Sequence, residues 1–300
     1  MPHDDTQSTT RHSRPPRRRG RHTASRIGAV AASILIAALA WVAYVDTTSP
    51  IVREHVVYVA GLTRPVTVLQ VTDLHGRTFG PGQSKIEKLL AGRRFDAVVM
   101  TGDYYDAPLY DPAAAVKLAQ VLERHTPRVL AIVGNHDDLP ARLALIRAGV
   151  RFPETQPAPL TDTGEVVALD ANDLGNLNLI AASRAAVVVA LRHVPPTPAE
   201  FDAARATVGP PIVFLCGHTH GGQIRVPGIG ALWAPTEPQP GSRRFTSGLF
   251  PDLRGLFVDG LYLRGSDVVC VSPGLGTTYV GFRLFCRSEL TVIKLLPAGK

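Results

Sequence analysis

Short segments of the sequence place aspartate, asparagine and histidine in spacings that suit metal binding. They are Thr72-Asp73-Leu74-His75, Gly102-Asp103-Tyr104-Tyr105-Asp106, Gly134-Asn135-His136-Asp137, the lone His193 and Gly217-His218-Thr219-His220. These side chains offer oxygen and imidazole nitrogen but no thiolate, which suits Mn, Fe, Zn or Co better than Ca or Mg. Seven candidate ligands are too many for one ion, whereas two ions that share the Asp103 carboxylate would use them all.

Each segment also has an ordinary structural interpretation when it is taken alone. Glycine followed by aspartate usually marks a turn, and a single histidine such as His193 is more often a hydrogen-bonded core residue. The pair His218 and His220 lies between glycines, which let backbone approach a ligand closely. The metal-site hypothesis therefore depends on the joint occurrence of all the segments in one chain.

The apolar pattern predicts that these segments follow strands. Apolar runs at 66–73, 96–103 and 128–135 alternate with helix-like stretches at 85–94 and 111–125, so we expect β-α-β-α-β and a parallel sheet. The pattern predicts further strands at 177–182, 186–192, 211–216, 256–263, 267–272 and 289–296. With few helical patterns after about Arg205, we expect a second, more antiparallel sheet.

The predicted strands would bring the polar segments together. Side chains at the carboxyl ends of parallel strands converge on one crevice. Alternation along an extended strand would put Asp73 and His75 on one face, and likewise His218 and His220. On this geometry each pair could chelate one ion.

The N-terminus has a different character from the rest of the chain. Residues 1–26 contain seven arginines and two aspartates, so this tail carries +5 of the formal net charge of +7, and its polar composition predicts disorder. The uncharged run 27–44 would span about 27 Å as a helix, close to a bilayer's hydrocarbon core. We predict a transmembrane anchor over 27–46, with the tail in the cytoplasm and a catalytic domain at 51–300 outside. The alternative is a signal peptide cleaved near Ala38-Leu39-Ala40, which would leave a secreted protein.

The order and spacing of the motifs resemble those of the calcineurin-like metallophosphoesterase superfamily. Between His75 and Gly102 lie 26 residues, and between Asp106 and Gly134 lie 27, as in the pattern D-x-H, G-D-x-x-D, G-N-H-[DE] and G-H-x-H. His193 followed by Pro195, and the run from Gly217 to Gln223, are similar to a bacterial membrane-associated or exported phosphodiesterase-like subgroup.

The resemblance implies a fold and a role for each motif residue. The fold would be a four-layer αββα sandwich of two mixed β-sheets, preceded by one transmembrane helix. One ion would be held by Asp73, His75, Asp103 and His220, and the other by Asp103, Asn135, His193 and His218. Asp103 would set the distance between two divalent transition-metal ions, and His136 would act on the leaving group. Asp106 and Asp137 would lie behind the ligands and orient histidines.

The resemblance also implies hydrolysis of phosphoesters. We expect a phosphodiesterase that acts outside the cytoplasm at the membrane, with a lipid-linked phosphodiester or pyrophosphate as one substrate class. The alternatives are a phosphomonoesterase, a nuclease, or a non-catalytic scaffold that binds phospho-ligands. The near-neutral charge of the chain beyond residue 26 disfavours nucleic acid as a partner.

Two further expectations concern residues outside the motifs. The stretch 224–265 is either an ordinary surface loop or a substrate rim in which Arg243 and Arg244 contact a phosphate. Cys270 and Cys286 could form a disulfide outside the cytoplasm or remain free thiols.

Overall fold

The structure is a computed structural model of the 300-residue chain. It describes the ranges 19–106, 111–180, 184–234, 248–249 and 257–299. The chain forms two compact units, one ending at Trp41 and the other beginning at Val42. Within the described ranges the helices are α1 (Arg19–Thr48), α2 (Ser84–Leu90), α3 (Ala113–Leu122), α4 (Leu139–Arg147) and α5 (Pro198–Thr207).

Fourteen strands lie in the described part of the chain. In chain order they are β1 (Ile51–Val59), β2 (Val66–Val71), β3 (Ala97–Met100), β4 (Val129–Ala131), β5 (Ala158–Pro159), β6 (Val166–Asp170), β7 (Val187–Leu191), β8 (Ile212–Cys216), β9 (Ile224–Val226), β10 (Gly230–Ala234), β11 (Gly248–Leu249), β12 (Gly260–Arg264), β13 (Asp267–Val271) and β14 (Glu289–Pro297). Short 3-10 helices lie at Pro81–Gln83 and Leu174–Ile180.

Two large mixed sheets contain most of the strands. The first has the order β1-β14-β2-β3-β4, and the second has the order β12-β13-β8-β7-β6-β5. In the first sheet β14 pairs with β1 in parallel and with β2 antiparallel, so the last strand lies between the first two. The strands β2, β3 and β4 are parallel, as are β6, β7, β8 and β13. A small third sheet has the order β11-β10-β9.

Apolar residues define the layers. One buried cluster joins the inner faces of the two large sheets and includes Val68, Val99, Val189 and Leu215. On the outer face of the first sheet, residues of α2, α3 and α4 pack on β2, β3 and β4. On the outer face of the second sheet, α5 and the 3-10 helix Leu174–Ile180 pack in the same way. Strands buried on both faces need continuous apolar sequence, which explains runs such as Ala97–Met100. The predicted α/β sandwich of two mixed sheets is therefore confirmed.

One expectation about the elements was wrong, and the structure decides two others. The segment predicted as a strand at 177–182 begins inside the 3-10 helix Leu174–Ile180, because its apolar residues pack on the second sheet from outside. The second sheet is the more antiparallel of the two, as expected, with two antiparallel pairs among five against one among four in the first sheet, although most pairs in both are parallel. Cys270 and Cys286 are free thiols, and both are buried.

The helix α1 contains a stretch suited to a bilayer. Ser25–Thr48 is 24 residues long and apolar, and none of its most apolar 18-residue window is buried by protein. Ile27 and Ile34 are each 65% exposed. Length and composition therefore make this helix a candidate membrane span or signal sequence.

Candidate metal centre

Candidate ligands follow the carboxyl ends of strands in both large sheets. Asp73 comes two residues after β2 and Asp103 three residues after β3. In the second sheet His193 follows β7 and His218 follows β8, again by two residues. The chain segments that follow β2 and β8 are linked directly, because the His218 backbone N–H donates to both carboxylate oxygens of Asp73 at 3.1 Å. The edge where the two sheets meet therefore gathers the polar segments.

The first cluster consists of Asp73, His75 and His220, with Asp103 beside it. The Nε2 atoms of His75 and His220 are 3.1 Å apart. His220 Nε2 lies 3.4 Å from Asp73 Oδ1, and His75 Nε2 lies 3.6 Å from Asp103 Oδ2. Two imidazole nitrogens and two carboxylate oxygens thus converge on one point.

The second cluster consists of Asp103, His193 and His218, with Asn135 beside it. His193 Nε2 lies 3.1 Å from Asp103 Oδ2, and His218 Nδ1 lies 3.3 Å from His193 Nε2. The amide oxygen of Asn135 is 3.0 Å from His218 Nδ1. The same oxygen of Asp103 therefore approaches histidines of both clusters.

The ring nitrogens that face away from the clusters have acceptor partners. His75 Nδ1 lies 2.6 Å from Asp106 Oδ1, and His193 Nδ1 lies 2.8 Å from the Thr101 carbonyl oxygen. Because both partners are acceptors, each Nδ1 can donate to its partner, which leaves each Nε2 as the ring atom that would bind an ion in the cluster. Imidazole nitrogens that converge with carboxylate oxygens in a buried place are typical ligands of a transition-metal cation, so the donor set fits two divalent metal ions.

The backbone at five of these residues is left-handed. The φ angles are 52° at Asp73, 47° at His75, 55° at Asp103, 69° at His218 and 49° at His220. Such conformations are uncommon outside glycine and cost on the order of 1–3 kcal/mol each. Strain of this kind persists where surrounding contacts impose it, and it is concentrated here at the residues that converge.

We expected Asp73 and His75, and likewise His218 and His220, to share one face of an extended strand. That geometry was wrong, because these residues lie beyond the strand ends. Asp73 and His75 do meet in one cluster. His218 and His220 do not chelate together: His218 lies in the second cluster and His220 in the first. This division matches the one that the family resemblance implies.

His136 stands beside the first cluster without entering it. Its Nδ1 lies 3.0 Å from Asp106 Oδ1, the same oxygen that contacts His75. The side chain of His136 is 27% exposed, whereas that of His75 is 1% exposed. Asp106 therefore holds one buried ring and one accessible ring, and His136 Nε2 is the ring nitrogen left for contact with substrate.

Asp137 contacts backbone rather than a histidine ring. Its carboxylate accepts the N–H groups of Asp103, Tyr104 and Gly134, each at 2.8 Å. It thereby ties the segment after β3 to the segment after β4. We expected Asp137 to orient a histidine ring, whereas these hydrogen bonds hold the backbone that carries Asp103.

Two polar residues that contact the ligand-bearing segments were not predicted from the sequence. Asn172 accepts the His193 backbone N–H and donates to the Val133 carbonyl oxygen, so it links the segment after β6 to the clusters. Arg283 is fully buried and donates to the His220 carbonyl oxygen at 3.3 Å. Neither residue lies in a motif. The guanidinium of Arg283 can be buried because several carbonyl oxygens accept its hydrogen bonds. The predicted rim residues Arg243 and Arg244 lie outside the described residues.

Burial and charge act in opposite directions on the pKa values of the clustered groups. Burial raises the pKa of Asp73. Burial alone would also raise the pKa of Asp103, but His193 beside it holds that pKa below its usual range. Burial opposes the charged form of His193, yet the Asp103 carboxylate raises the pKa of His193 to about 10. Burial, together with the charge of His193, lowers the pKa of His218 to about 3. Of the two ligand carboxylates, Asp103 is therefore the one held in its charged form.

A glycine next to Asp103 allows a direct test of this packing. A Cβ atom added at Gly134 would lie 2.1 Å from Asp103 Oδ1 and 2.5 Å from the Asp103 backbone nitrogen. We expect Gly134→Ala to shift the carboxylate and to lower metal affinity about 10- to 100-fold, as loss of a group that supports a ligand does. Gly209→Ala is the matched control, because nothing lies within 4 Å of its added Cβ. Metal titration of both variants checks the prediction, and equal affinities would contradict it.

The fold and the two clusters define a class of hydrolase with a dinuclear metal centre, and comparison with known proteins gives the family. Residues 66–222 match the model of the calcineurin-like phosphoesterase family, so the chain belongs to that family and is a metal-dependent phosphoesterase. Metal dependence in this family involves a dinuclear centre.

Two relatives are similar over different lengths. Phosphodiesterase YaeI of Escherichia coli is 39% identical over 84 residues, which cover 28% of this chain and 25% of YaeI. The metallophosphoesterase YkuE of Bacillus subtilis is 30% identical over 216 residues, which cover 67% of this chain and 68% of YkuE. The chain therefore spans a quarter of the first relative and about two thirds of the second.

Proposed function

We propose that this protein is a dinuclear-metal phosphodiesterase that acts outside the cytoplasm at the membrane, with lipid-linked phosphodiesters or pyrophosphates as its substrate class. The observation that carries the proposal is the convergence of seven donor residues in two clusters around one oxygen of Asp103. Two-metal sites in hydrolases place their ions about 3.5–4 Å apart, a distance that one carboxylate can bridge.

The proposed ligands divide between the clusters. Asp73, His75, Asp103 and His220 would hold one ion, and Asp103, Asn135, His193 and His218 the other. With imidazole, carboxylate and amide donors the centre suits Mn, Fe, Zn or Co. When bound, two such ions polarise a phosphoryl group and acidify water.

The protein's own residues supply the remaining chemistry. Asp103 lies between the clusters, with one carboxylate oxygen 3.1 Å from His193 Nε2 and 3.6 Å from His75 Nε2, where it would be shared by the two ions. Asp106 raises the pKa of His136 through their hydrogen bond, which favours an imidazolium that can donate a proton from Nε2. His136 would give that proton to the departing alkoxide of the substrate. Asp137 would keep the segments after β3 and β4 in register during turnover, through its backbone hydrogen bonds.

The relative YaeI is named a phosphodiesterase, and this name favours a diester over other phosphoesters as the substrate of the present chain. The membrane setting is supported by the apolar stretch Ser25–Thr48 and by the arginines before it, which favour the cytoplasmic side. A signal sequence would export the same domain without anchoring it. In both cases the domain from 51 to 300 would act outside the cytoplasm, close to lipid-linked substrates in the anchored case.

The experiment is a substrate panel with metal analysis on the full chain in detergent. We expect about two transition-metal ions per chain and hydrolysis of bis(p-nitrophenyl) phosphate that a chelator abolishes and added Mn or Zn restores. The panel also contains p-nitrophenyl phosphate, a single-stranded oligonucleotide and a headgroup-labelled phospholipid in vesicles. A preference for the monoester or the oligonucleotide would replace the diesterase hypothesis, and metal binding without any hydrolysis would favour a scaffold.

A further inference from the structure

A loop beside the first cluster exposes three aromatic side chains. We define the aromatic loop as residues 277–286. Within it Tyr279 is 80% exposed, Phe282 is 42% exposed and Phe285 is 41% exposed. Single exposed apolar residues are common on protein surfaces, but three aromatic rings within seven residues form a surface that water solvates poorly.

The backbone of the aromatic loop is held in place, so the exposure of its rings follows from its conformation. The buried Gln223 side chain donates to the carbonyl oxygens of Val280 and Phe282, at 2.6 and 3.1 Å, and its Oε1 accepts the Thr278 N–H. Tyr279 and Phe285 both have a φ of 53°, which is unfavourable for bulky side chains. A conformation that strained requires support from its neighbours, and in it Tyr279 is largely exposed and Phe285 is partly exposed.

The aromatic loop is joined to the end of the apolar helix. The Arg283 backbone N–H donates to Thr47 Oγ1 at 2.8 Å. Just beyond the loop, the Ser288 N–H donates to the Asp46 carbonyl oxygen and Arg287 Nε donates to the Ser49 carbonyl oxygen, each at 2.8 Å. Asp46, Thr47 and Ser49 belong to the same compact unit as the loop, since that unit begins at Val42.

The same loop is joined to the first cluster. The Arg283 guanidinium donates to the carbonyl oxygens of Pro273, Gly276 and His220, at 2.6, 2.9 and 3.3 Å. The Gly276 N–H in turn donates to the Asp73 carbonyl oxygen at 2.5 Å. One arginine therefore contacts Thr47 through its backbone and the His220 segment through its side chain. Arg283 therefore connects the end of the apolar stretch directly to the first cluster.

We propose that the aromatic loop lies in the headgroup region of the bilayer and holds the first cluster close to the membrane. The inference rests on the membrane setting of the proposed function and adds the surface that makes the contact. The argument for a bilayer as the occupant is continuity: the candidate span ends at Thr48, which places Thr47 and its partner Arg283 at the interface. Aromatic side chains favour that depth. The amphipathic ring of tyrosine suits the headgroup level, and the apolar ring of phenylalanine is buried at the boundary with the acyl chains.

The contact explains how a lipid-linked substrate would reach the clusters. A phosphodiester near the acyl chains lies within the headgroup layer, and the loop that contacts this layer also supports His220. The substrate would therefore need to leave the membrane by only a short distance, while its apolar part remains in lipid.

The test is the depth of position 282 in vesicles that contain the full chain. Phe282→Trp is made in a background with Trp41→Phe and Trp233→Phe, so that one tryptophan reports. The matched control is Tyr58→Trp in the same background, because Tyr58 is 68% exposed but lies near the far end of β1, roughly 23 Å along the strand from Ile51. Lipids brominated on the acyl chain near the headgroup quench only tryptophan that enters the interface.

We expect the bromolipid to remove more than about half of the emission at 282, since interfacial side chains enter the bilayer by about 5–10 Å, and to leave the emission at 58 unchanged. Equal emission in brominated and ordinary lipid at 282 would overturn the proposal. A tryptophan at 282 that neither bromolipid nor acrylamide quenches would show that protein, such as a second copy of the chain, covers the loop, and would also overturn it. Because the measurement needs no substrate, it stays informative if the proposed hydrolysis fails.

Discussion

Replacing Asp103 with asparagine is expected to abolish both metal binding and hydrolysis. One oxygen of Asp103 approaches His75 in the first cluster and His193 in the second, at 3.6 and 3.1 Å. Asparagine keeps the shape but removes the negative charge, so neither ion would retain its shared ligand. Removing a group that only supports a metal ligand costs about 10- to 100-fold, so we expect loss of the shared ligand to cost at least about 100-fold in activity.

The measurement compares metal content and the rate on bis(p-nitrophenyl) phosphate in Asp103→Asn and in Asp96→Asn. Asp96 lies at the opposite end of β3, where it contacts Arg64 and accepts the Thr67 N–H. The control should bind metal and hydrolyse the diester as the unaltered chain does. If Asp103→Asn retained two ions and most of its rate, a dinuclear centre bridged at this position would be wrong.

The convergence of the motifs could be predicted because it depends on a general property of sheets. Parallel strands present their carboxyl ends along one edge, so residues that follow β2, β3 and β4 had to be neighbours. The apolar runs that identify those strands are continuous because both faces are buried. Pattern and topology together therefore predict the edge of the sheet at which these residues gather.

The local geometry could not be predicted in the same way. An extended strand would have aligned His218 with His220, but the backbone turns left-handed at both residues and sends the rings to different clusters. Strain of this kind is imposed by tertiary contacts, such as the hydrogen bonds from the His218 N–H to the Asp73 carboxylate. It leaves no periodic signal in the sequence.

Arg283 illustrates a second limit. Its side-chain partners are backbone carbonyl oxygens of Pro273, Gly276 and His220, and carbonyl groups are present at every residue. A sequence pattern identifies side-chain types but not which carbonyl groups remain unpaired after folding. A buried arginine that joins three segments is therefore visible only in the three-dimensional structure.

Replacing His136 with alanine is expected to slow hydrolysis in proportion to the basicity of the leaving group while metal binding is kept. Positioned general acids contribute about 10²- to 10⁴-fold, so loss of the His136 proton should cost that much on an alkyl phosphodiester. A nitrophenolate leaves readily without a proton, so its rate should fall less than about tenfold. His55→Ala is the matched control, because His55 is a half-buried histidine on β1.

The structure makes this prediction specific, because the Asp106 carboxylate contacts the imidazole rings of both His75 and His136. Asp106 contacts Nδ1 of His75 and Nδ1 of His136, so Asp106→Asn should weaken metal affinity as well as proton donation, whereas His136→Ala should affect proton donation alone. The two variants therefore separate support of a ligand from contact with the leaving group. Steady-state rates on the alkyl and nitrophenyl diesters, with metal content measured on the same samples, give the comparison. Equal losses on both diesters in His136→Ala would exclude the proton donor role and leave His136 as a residue that only binds substrate.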